Sequence, residues 1–184
     1  MARVLALVLA LLALGPATAA AQEIGAAAAG LAQSPLHVDP SLRSAFTDTE
    51  RRELETRLRE ASPPVLVAIV PLVAGDAVDG KPRSLLTVLR KRLGRDDAIL
   101  VTAGDGGLTA DIPEEDERLR AASSYANLVE HDYDERVATT LNRYLDALAD
   151  PDIVAKAEEV RKGLDERYRA NNPSAPAPAA ADDD

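Results

Sequence analysis

The sequence predicts an α/β fold: a small mixed sheet of three to four strands flanked by helices, with a helical C-terminal part. Three observations lead to this prediction. Val65 to Val70 is an unbroken apolar run rich in β-branched residues, which is typical of a strand buried on both faces. Ala98 to Val101 repeats the pattern after a stretch of leucines at helical spacing. Beyond Pro113 only helical periodicity remains, so helices should complete the domain.

Local signals define the elements before the first buried strand. Leu36 to Pro40 is predicted to be a short extended piece, because a residue before proline avoids the helical region. Thr47 to Glu50 has the form of a capping box, which marks the start of a helix. Leu54 and Leu58 follow at helical spacing, and two prolines end that helix.

The segment after the first buried strand predicts a helix and then a hairpin. Ser84 is the predicted cap of the helix, and Gly94 is its predicted C-terminal residue. The apolar positions of this helix include Leu85, Leu86, Leu89 and Leu93. Residues 104–107 read Gly-Asp-Gly-Gly, which predicts a tight turn, and Leu108 to Ile112 is a short third strand.

The C-terminal part predicts three helices with one apolar face each. Asp150 is the expected cap of the last helix, with Pro151 at its first position. The predicted inner faces are Leu119, Ala122, Ala126 and Val129; then Val137, Leu141, Tyr144, Leu145 and Leu148; then Ile153, Ala157, Val160, Leu164 and Tyr168.

Composition also divides the chain into segments. Arg3 and the apolar run that follows it, ending in Ala-rich residues before Gln22, predict a signal peptide over residues 1–21, although an uncleaved anchor is the alternative. Residues 22–34 are Ala/Gly-rich and are predicted to be flexible. Residues 35–170 form a single domain, and residues 171–184 a disordered Pro/Ala/Asp tail. The mature protein is therefore expected to be secreted or associated with the cell envelope.

Several classes of function are disfavoured by composition and motifs. The chain has no cysteine, which excludes disulfides, zinc-thiolate sites and a thiol nucleophile. Its 21 basic against 31 acidic residues give a net charge of −10, which argues against a nucleic-acid surface. There is no G-x-S-x-G elbow, and the 104–107 turn lacks the Lys-Ser/Thr of a phosphate-binding loop. No complete catalytic set is present.

Acidic residues are the remaining candidates for chemistry. Asp76 and Asp105 follow predicted strands, and the carboxyl ends of parallel strands meet at one crevice. Asp97 directly precedes the second strand, which places it at the opposite end. Asp76 and Asp105 are therefore the candidate ligands for Ca²⁺ or Mg²⁺, which both take oxygen ligands. Solvated loop acids in an acidic protein are the alternative interpretation.

A second acidic cluster extends from Glu130 to Glu135. On a helix His131 and Glu135 would be neighbours, a spacing that can hold a metal. The second histidine of a zinc-protease motif is missing. We therefore interpret this stretch as a solvated face or a kink between two helices.

Residues 38–108 resemble the TPM family, extracytoplasmic α/β domains of bacterial envelope proteins and of a thylakoid-lumen protein. The matching features are Val38-Asp39, the helix opened by Phe46-Thr47, the strand Val65 to Pro71, the helix ending Leu93-Gly94, and Asp97 to Val101. Ala98 stands where the family usually has glycine, and residues 109–113 replace its longer third strand. The resemblance implies an extracytoplasmic location, with either divalent-metal-dependent acid phosphatase activity or a non-enzymatic accessory role.

Three functions remain open. The first is a secreted or envelope-facing accessory domain that binds an envelope or secreted protein, with an exposed apolar patch expected on the C-terminal helices. The second is a metal-dependent phosphatase, which requires Asp76, Asp97 or Asp105 to converge on one cation. The third is a helical-bundle, chaperone-like protein, which requires the predicted strands to be absent.

Overall fold

The computed structural model describes residues 16–104, 106–112, 116–129 and 136–172, with side chains from residue 23 onward. The strands are β1 (Leu36–Val38), β2 (Val65–Ile69), β3 (Ile99–Gly104) and β4 (Gly107–Asp111). The α-helices are α1 (Pro16–Leu31), α2 (Asp48–Glu60), α3 (Pro82–Leu93), α4 (Glu117–Leu128), α5 (Val137–Ala149) and α6 (Ile153–Asn171), and Pro40–Ala45 is a 3-10 helix. The α/β prediction is confirmed, and the strands exclude the helical-bundle alternative.

The four strands form one mixed sheet in the order β1-β2-β3-β4. The first three strands are parallel, and β4 pairs antiparallel with β3, with Gly107 opposite Gly104. Helix α2 links β1 to β2 on one face of the sheet, whereas α3 links β2 to β3 on the other face. Both connections lead to the next strand in the same direction across the sheet, but their helices lie on opposite faces. The two crossovers therefore have opposite handedness, and one of them is left-handed, contrary to the usual rule.

Each face of the sheet has its own hydrophobic core. The alternation of side chains along β2 divides this strand between them: Val65, Val67 and Ile69 point to one face, and Leu66 and Ala68 to the other. The larger core lies under α2, α4, α5 and α6, and the smaller core under α1 and α3. Coverage of both faces explains why the buried strands show no alternation in sequence.

Helix ends largely follow the predicted signals. Thr47 and Glu50 form the capping box at the start of α2, with mutual bonds between side chain and backbone. Gly94 ends α3 in the left-handed conformation. Ser84 is not the cap of α3, because the helix already starts at Pro82, whose fixed φ suits the first turn. At the other end, α6 starts at Ile153, two residues later than predicted.

The N-terminal segment differs most from its prediction. Residues 22–31 belong to helix α1 and are not a flexible segment. Ile24, Ala27 and Leu31 lie on one side of this helix and are buried in the smaller core beside Leu85 and Leu89. Packing against the sheet therefore overrides the low helix propensity of the glycines in this stretch.

Helix α6 is only partly packed. Ile153 and Ala157 are buried as predicted, but Leu164 is 36% exposed and Tyr168 is 62% exposed. The predicted inner face is therefore wrong in its second half. The physical reason is length: α6 has 19 residues, whereas α4, its main neighbour, has 12.

Three predicted features lie outside the described residues. The acidic cluster from Glu130 to Glu135 is one of them, and the start of the signal peptide, residues 1–15, is another. The tail is the third, from residue 173 to residue 184.

The hydroxyl of Tyr144 on α5 provides the first testable prediction. This side chain is 1% exposed, and its oxygen has no hydrogen-bond partner among the described residues. Burial, with Asp116 nearby, raises the pKa of the hydroxyl far above its ordinary value. Because an unpartnered buried hydroxyl costs about 1–3 kcal/mol, we expect Tyr144→Phe to raise the free energy of unfolding by about 1 kcal/mol.

Urea unfolding of the wild type and the Tyr144→Phe variant measures this difference. Tyr144→Ala is the control: it also removes the ring and should destabilise the protein by about 3–5 kcal/mol. A lower stability of Tyr144→Phe than of the wild type would mean that the hydroxyl has a partner after all.

Candidate functional site

Asp76 organises the loop that follows β2. One carboxylate oxygen accepts the backbone N–H of Val73 at 3.1 Å, and the other accepts those of Val78 and Gly80 at 2.8 and 3.1 Å. Partial burial opposes ionisation of Asp76, but these N–H donors outweigh it and hold its pKa below the ordinary value for aspartate. Both oxygens are thus engaged by their own loop, which indicates a structural role.

Asp97 lies at the opposite end of the sheet from Asp76. It precedes β3, whose first residue, Ile99, pairs with Val65 at the amino end of β2, whereas Asp76 follows the carboxyl end of β2. Strand β2 alone separates these ends by about 13 Å. Arg95 donates two hydrogen bonds of 2.6 and 2.8 Å to Asp97, and this side-chain pairing lowers the pKa of Asp97.

The three candidate ligands therefore do not form one site among the described residues. Asp105 lies outside them, and no group of three or more acidic or histidine side chains within them is placed to hold a metal ion. The structure does not bring Asp76 and Asp97 together, so the chemistry that a shared Ca²⁺ or Mg²⁺ would supply has no supporting geometry here.

The crevice at the carboxyl ends of β2 and β3 is apolar. It has a volume of about 570 Å³, and Leu42, Ile69, Leu72 and Val137 contribute to its walls. None of the described residues that line it carries a charge. The position matches the usual ligand crevice of an open α/β sheet, but its lining does not suit a cation.

The two edge strands of the sheet, β1 and β4, differ in length, sequence and contacts. Strand β1 has three residues between Pro35 and Pro40, and the Ser34 hydroxyl accepts the N–H of Leu36 at 3.4 Å. Short length, flanking prolines and a covered N–H are common ways to protect an edge. Strand β4 has five residues without lysine or proline, and its one charged side chain, Asp111, is paired with Arg90 of α3. Strand β4 is thus longer than β1 and has no proline before it, although Pro113 follows it in the sequence as closely as Pro40 follows β1.

Asn127 of α4 covers one residue of the β4 edge. Its Oδ1 accepts the N–H of Leu108, and its Nδ2 donates to the carbonyl of Leu108, both at 2.7 Å. The amide thus pairs with the strand as a neighbouring peptide group would. Glycine is required next to it, because a Cβ on Gly107 would lie 2.8 Å from Oδ1 and the residue has a φ of +91°.

The Asn127 contact fixes which backbone groups of β4 point outward. Leu108 is paired with Ala103 of β3, but its N–H and carbonyl form hydrogen bonds with Asn127, which lies beyond the edge of the sheet. Antiparallel pairs alternate between bonded and non-bonded, so Ala110, opposite Val101, also directs its N–H and carbonyl outward. Among the described residues no group pairs with those of Ala110.

An open groove of about 790 Å³ runs along this edge, and we call it the β4 groove. One wall is α3 and the other is α4, on opposite faces of the sheet. Its described lining consists of Arg83, Leu86, Thr87, Leu108, Thr109, Ala110, Asp111, Ile112, Arg120, Ser123, Ser124 and Asn127. Within the described chain, the guanidinium groups of Arg83 and Arg120 have no ion-pair partner.

No protein-family model, curated protein or solved structure matches this chain. The resemblance to the TPM family therefore stays a prediction from the quoted residues. No helix in the described part of the chain is long and apolar enough to cross a membrane.

Sequence reasoning missed the residues of the β4 groove. The strand itself was predicted, but its position at an edge depends on the order of strands, which no local pattern reveals. Arg83 and Arg120 look like ordinary solvated charges on two helices. The one sequence feature that bears on this edge is the absence of lysine and proline from residues 107–111, since edge strands often carry them.

Proposed function

We propose that this protein is an extracytoplasmic accessory domain that binds an extended segment of a partner protein by strand addition at β4. The observation that carries the proposal is the outward N–H and carbonyl of Ala110 at the floor of an open groove. A peptide that adds a strand gains backbone hydrogen bonds that do not depend on its sequence. The walls of the groove then supply the side-chain contacts.

Two further features support strand addition. Asn127 already pairs with Leu108 as a strand would, so the edge accepts backbone partners in this geometry. Arg90 holds Asp111 and the carbonyl of Ala98, which ties the end of β4 to α3 and keeps the edge in place. A rigid edge loses little conformational entropy on binding.

The location is part of the same proposal. Cleavage before Gln22 would leave Ile24, Ala27 and Leu31 in the mature chain, and these are the buried side chains of α1. Export and processing are thus compatible with retention of the packed part of the helix. The resemblance of residues 38–108 to the TPM family supports the extracytoplasmic location and is compatible with an accessory role.

Proline at position 110 tests strand addition. The outward N–H of Ala110 is not used by the β3–β4 ladder, so Ala110→Pro removes a donor for the ligand at a position where edge strands accept proline. We expect the full chain to bind blocked extended hexapeptides, acetyl-TVEEVT-amide and its neutral analogue acetyl-TVQQVT-amide. The amide exchange of Ala110 should slow on binding, and Ala110→Pro should weaken both peptides at least tenfold.

Ala110→Ser is the matched control, since it keeps the N–H and should retain binding. Thermal unfolding of both variants shows whether the fold is intact. A peptide N-methylated at every residue has no backbone N–H to donate from either edge and should not bind. If neither hexapeptide slows exchange at Ala110, or if Ala110→Pro binds like the wild type, strand addition is wrong.

A further inference from the structure

We propose that the β4 groove selects acidic segments, and that Arg83 and Arg120 recognise carboxylates on neighbouring residues of the added strand. This inference rests on the strand addition proposed above. It adds the chemistry of the ligand: an extended peptide in which two adjacent residues are aspartate or glutamate.

Charge complementarity is the first argument. The protein is acidic overall, with a net charge of −10, yet two arginines without acidic partners line one groove. The one carboxylate in its described lining is Asp111, and Arg90 pairs with it from α3. Among the described residues, the groove therefore offers two guanidinium groups without an ion-pair partner next to the outward backbone groups of Ala110, which favours carboxylates in the ligand.

The position of the arginines determines the spacing. Arg83 belongs to α3, which covers the smaller core, whereas Arg120 belongs to α4, which covers the larger core. They therefore stand on opposite sides of the plane of the sheet. An added strand continues that plane, and its successive side chains point to opposite sides. Adjacent acidic residues thus reach one arginine each, whereas acidic residues two apart both point to the same wall.

Hydroxyl groups extend the same polar surface. Thr87 lies on the α3 wall beside Arg83, and Ser123 and Ser124 lie on the α4 wall beside Arg120. A carboxylate held by a guanidinium accepts further hydrogen bonds, and hydroxyl groups can donate them. The Thr87 hydroxyl already donates to the carbonyl of Arg83 at 2.9 Å, so the α3 wall offers the guanidinium of Arg83 alone. The α4 wall combines the guanidinium of Arg120 with two serine hydroxyls, which suits carboxylate oxygens and gives no advantage to a cationic peptide.

Three blocked hexapeptides test the inference on the full chain by titration calorimetry at low salt. They are acetyl-TVEEVT-amide, the neutral acetyl-TVQQVT-amide, and acetyl-TVETEV-amide, which has the same composition as the first but glutamates two apart. We expect TVEEVT to bind roughly tenfold tighter than TVQQVT, with TVETEV between them. Half-molar salt should remove most of this difference, because exposed charge pairs are screened.

Variants of the arginines complete the test. Arg83→Gln and Arg120→Gln should each reduce the preference for TVEEVT over TVQQVT about threefold, and the double variant should abolish it with little change for TVQQVT. Arg167→Gln, an exposed arginine of α6 outside the groove, is the matched control and should keep the preference.

The two proposals fail in different ways. Equal affinity for TVEEVT and TVQQVT, with both lost in Ala110→Pro, would overturn acid selection and leave strand addition standing. A preference that survives in Arg83→Gln/Arg120→Gln would also overturn acid selection by these residues. Binding of TVEEVT that is unaffected by Ala110→Pro would overturn strand addition, and with it the inference about spacing.

Discussion

Gly30→Ala is expected to destabilise the protein by about 1–3 kcal/mol, although alanine is the better helix former. Gly30 lies near the end of α1, where the helix crosses the edge strand β1. A Cβ there would overlap the Nδ1 atom of His37 and approach its Cγ and Cε1 to 3.1 and 3.3 Å. The imidazole ring would have to move, and with it the contact between α1 and the sheet.

The imidazole ring of His37 has little room to move. Its ring is half-buried, and its Nε2 atom is buried without a hydrogen-bond partner among the described residues. Burial lowers the pKa of His37 below its ordinary value, with a smaller opposing effect from Asp39. Because the ring is confined, moving it would disrupt its packing. The free energy lost in packing is therefore expected to exceed the gain in helix propensity from the added methyl group.

Gly25→Ala in the same helix is the matched control for Gly30→Ala. A Cβ on Gly25 would meet only the Nη1 atom of Arg92 at 3.4 Å, an ordinary contact. We expect that variant to be stabilised by about 0.5–1 kcal/mol. Urea unfolding of both variants measures the contrast, and His37→Ala combined with Gly30→Ala should recover part of the loss. If both glycine variants are stabilised alike, α1 does not pack on His37 as described.

Local signals in the sequence were sufficient for the class of fold and for most element ends. The capping box at Thr47, the buried run from Val65 and the glycine stop at Gly94 act over a few residues, so a pattern can identify them. The Ala/Gly-rich composition of residues 22–34 does not indicate helix α1, but the spacing of its apolar residues does. Ile24, Ala27 and Leu31 stand three and four residues apart, which is the apolar stripe of a helix.

Tertiary features could not be derived in the same way. The faces taken by α2 and α3 contradict the handedness that a general rule predicts for two successive crossovers. The order of strands decides which strand has a free edge, and this order depends on packing between distant residues. For the same reason Arg83 and Arg120, 37 positions apart in the numbering of the chain, give no sign in sequence that they flank one groove.

Asn127→Leu should lower the free energy of unfolding by about 2–3 kcal/mol. The substitution keeps the size of the side chain but removes both 2.7 Å hydrogen bonds to the backbone of Leu108. Leu108 is 4% exposed as a whole residue, and leucine at position 127 would cover the same backbone groups without satisfying them. Leaving a buried donor or acceptor unpaired costs about 1–3 kcal/mol each.

The Asn127→Leu variant is not expected to self-associate through β4. The leucine side chain would still cover the backbone groups of Leu108, so the free edge would not extend beyond Ala110. Denaturant unfolding measures the stability, and sedimentation velocity measures the association. Ser124→Ala on the same helix is the control, since Ser124 is exposed and has no described contact with the β4 backbone; it should change neither quantity.

Asn127→Asp separates the two hydrogen bonds. An ionised carboxylate still accepts the N–H of Leu108, but it has no donor for the carbonyl and repels it. The protonated acid supplies that donor, so the folded state should raise the pKa of the new side chain above its unfolded value near 3.9. A group with a raised folded pKa stabilises below the unfolded pKa and loses that contribution as pH rises. The deficit of Asn127→Asp relative to wild type should therefore be smaller at pH 3 than at pH 7, whereas the deficit of Asn127→Leu should not depend on pH.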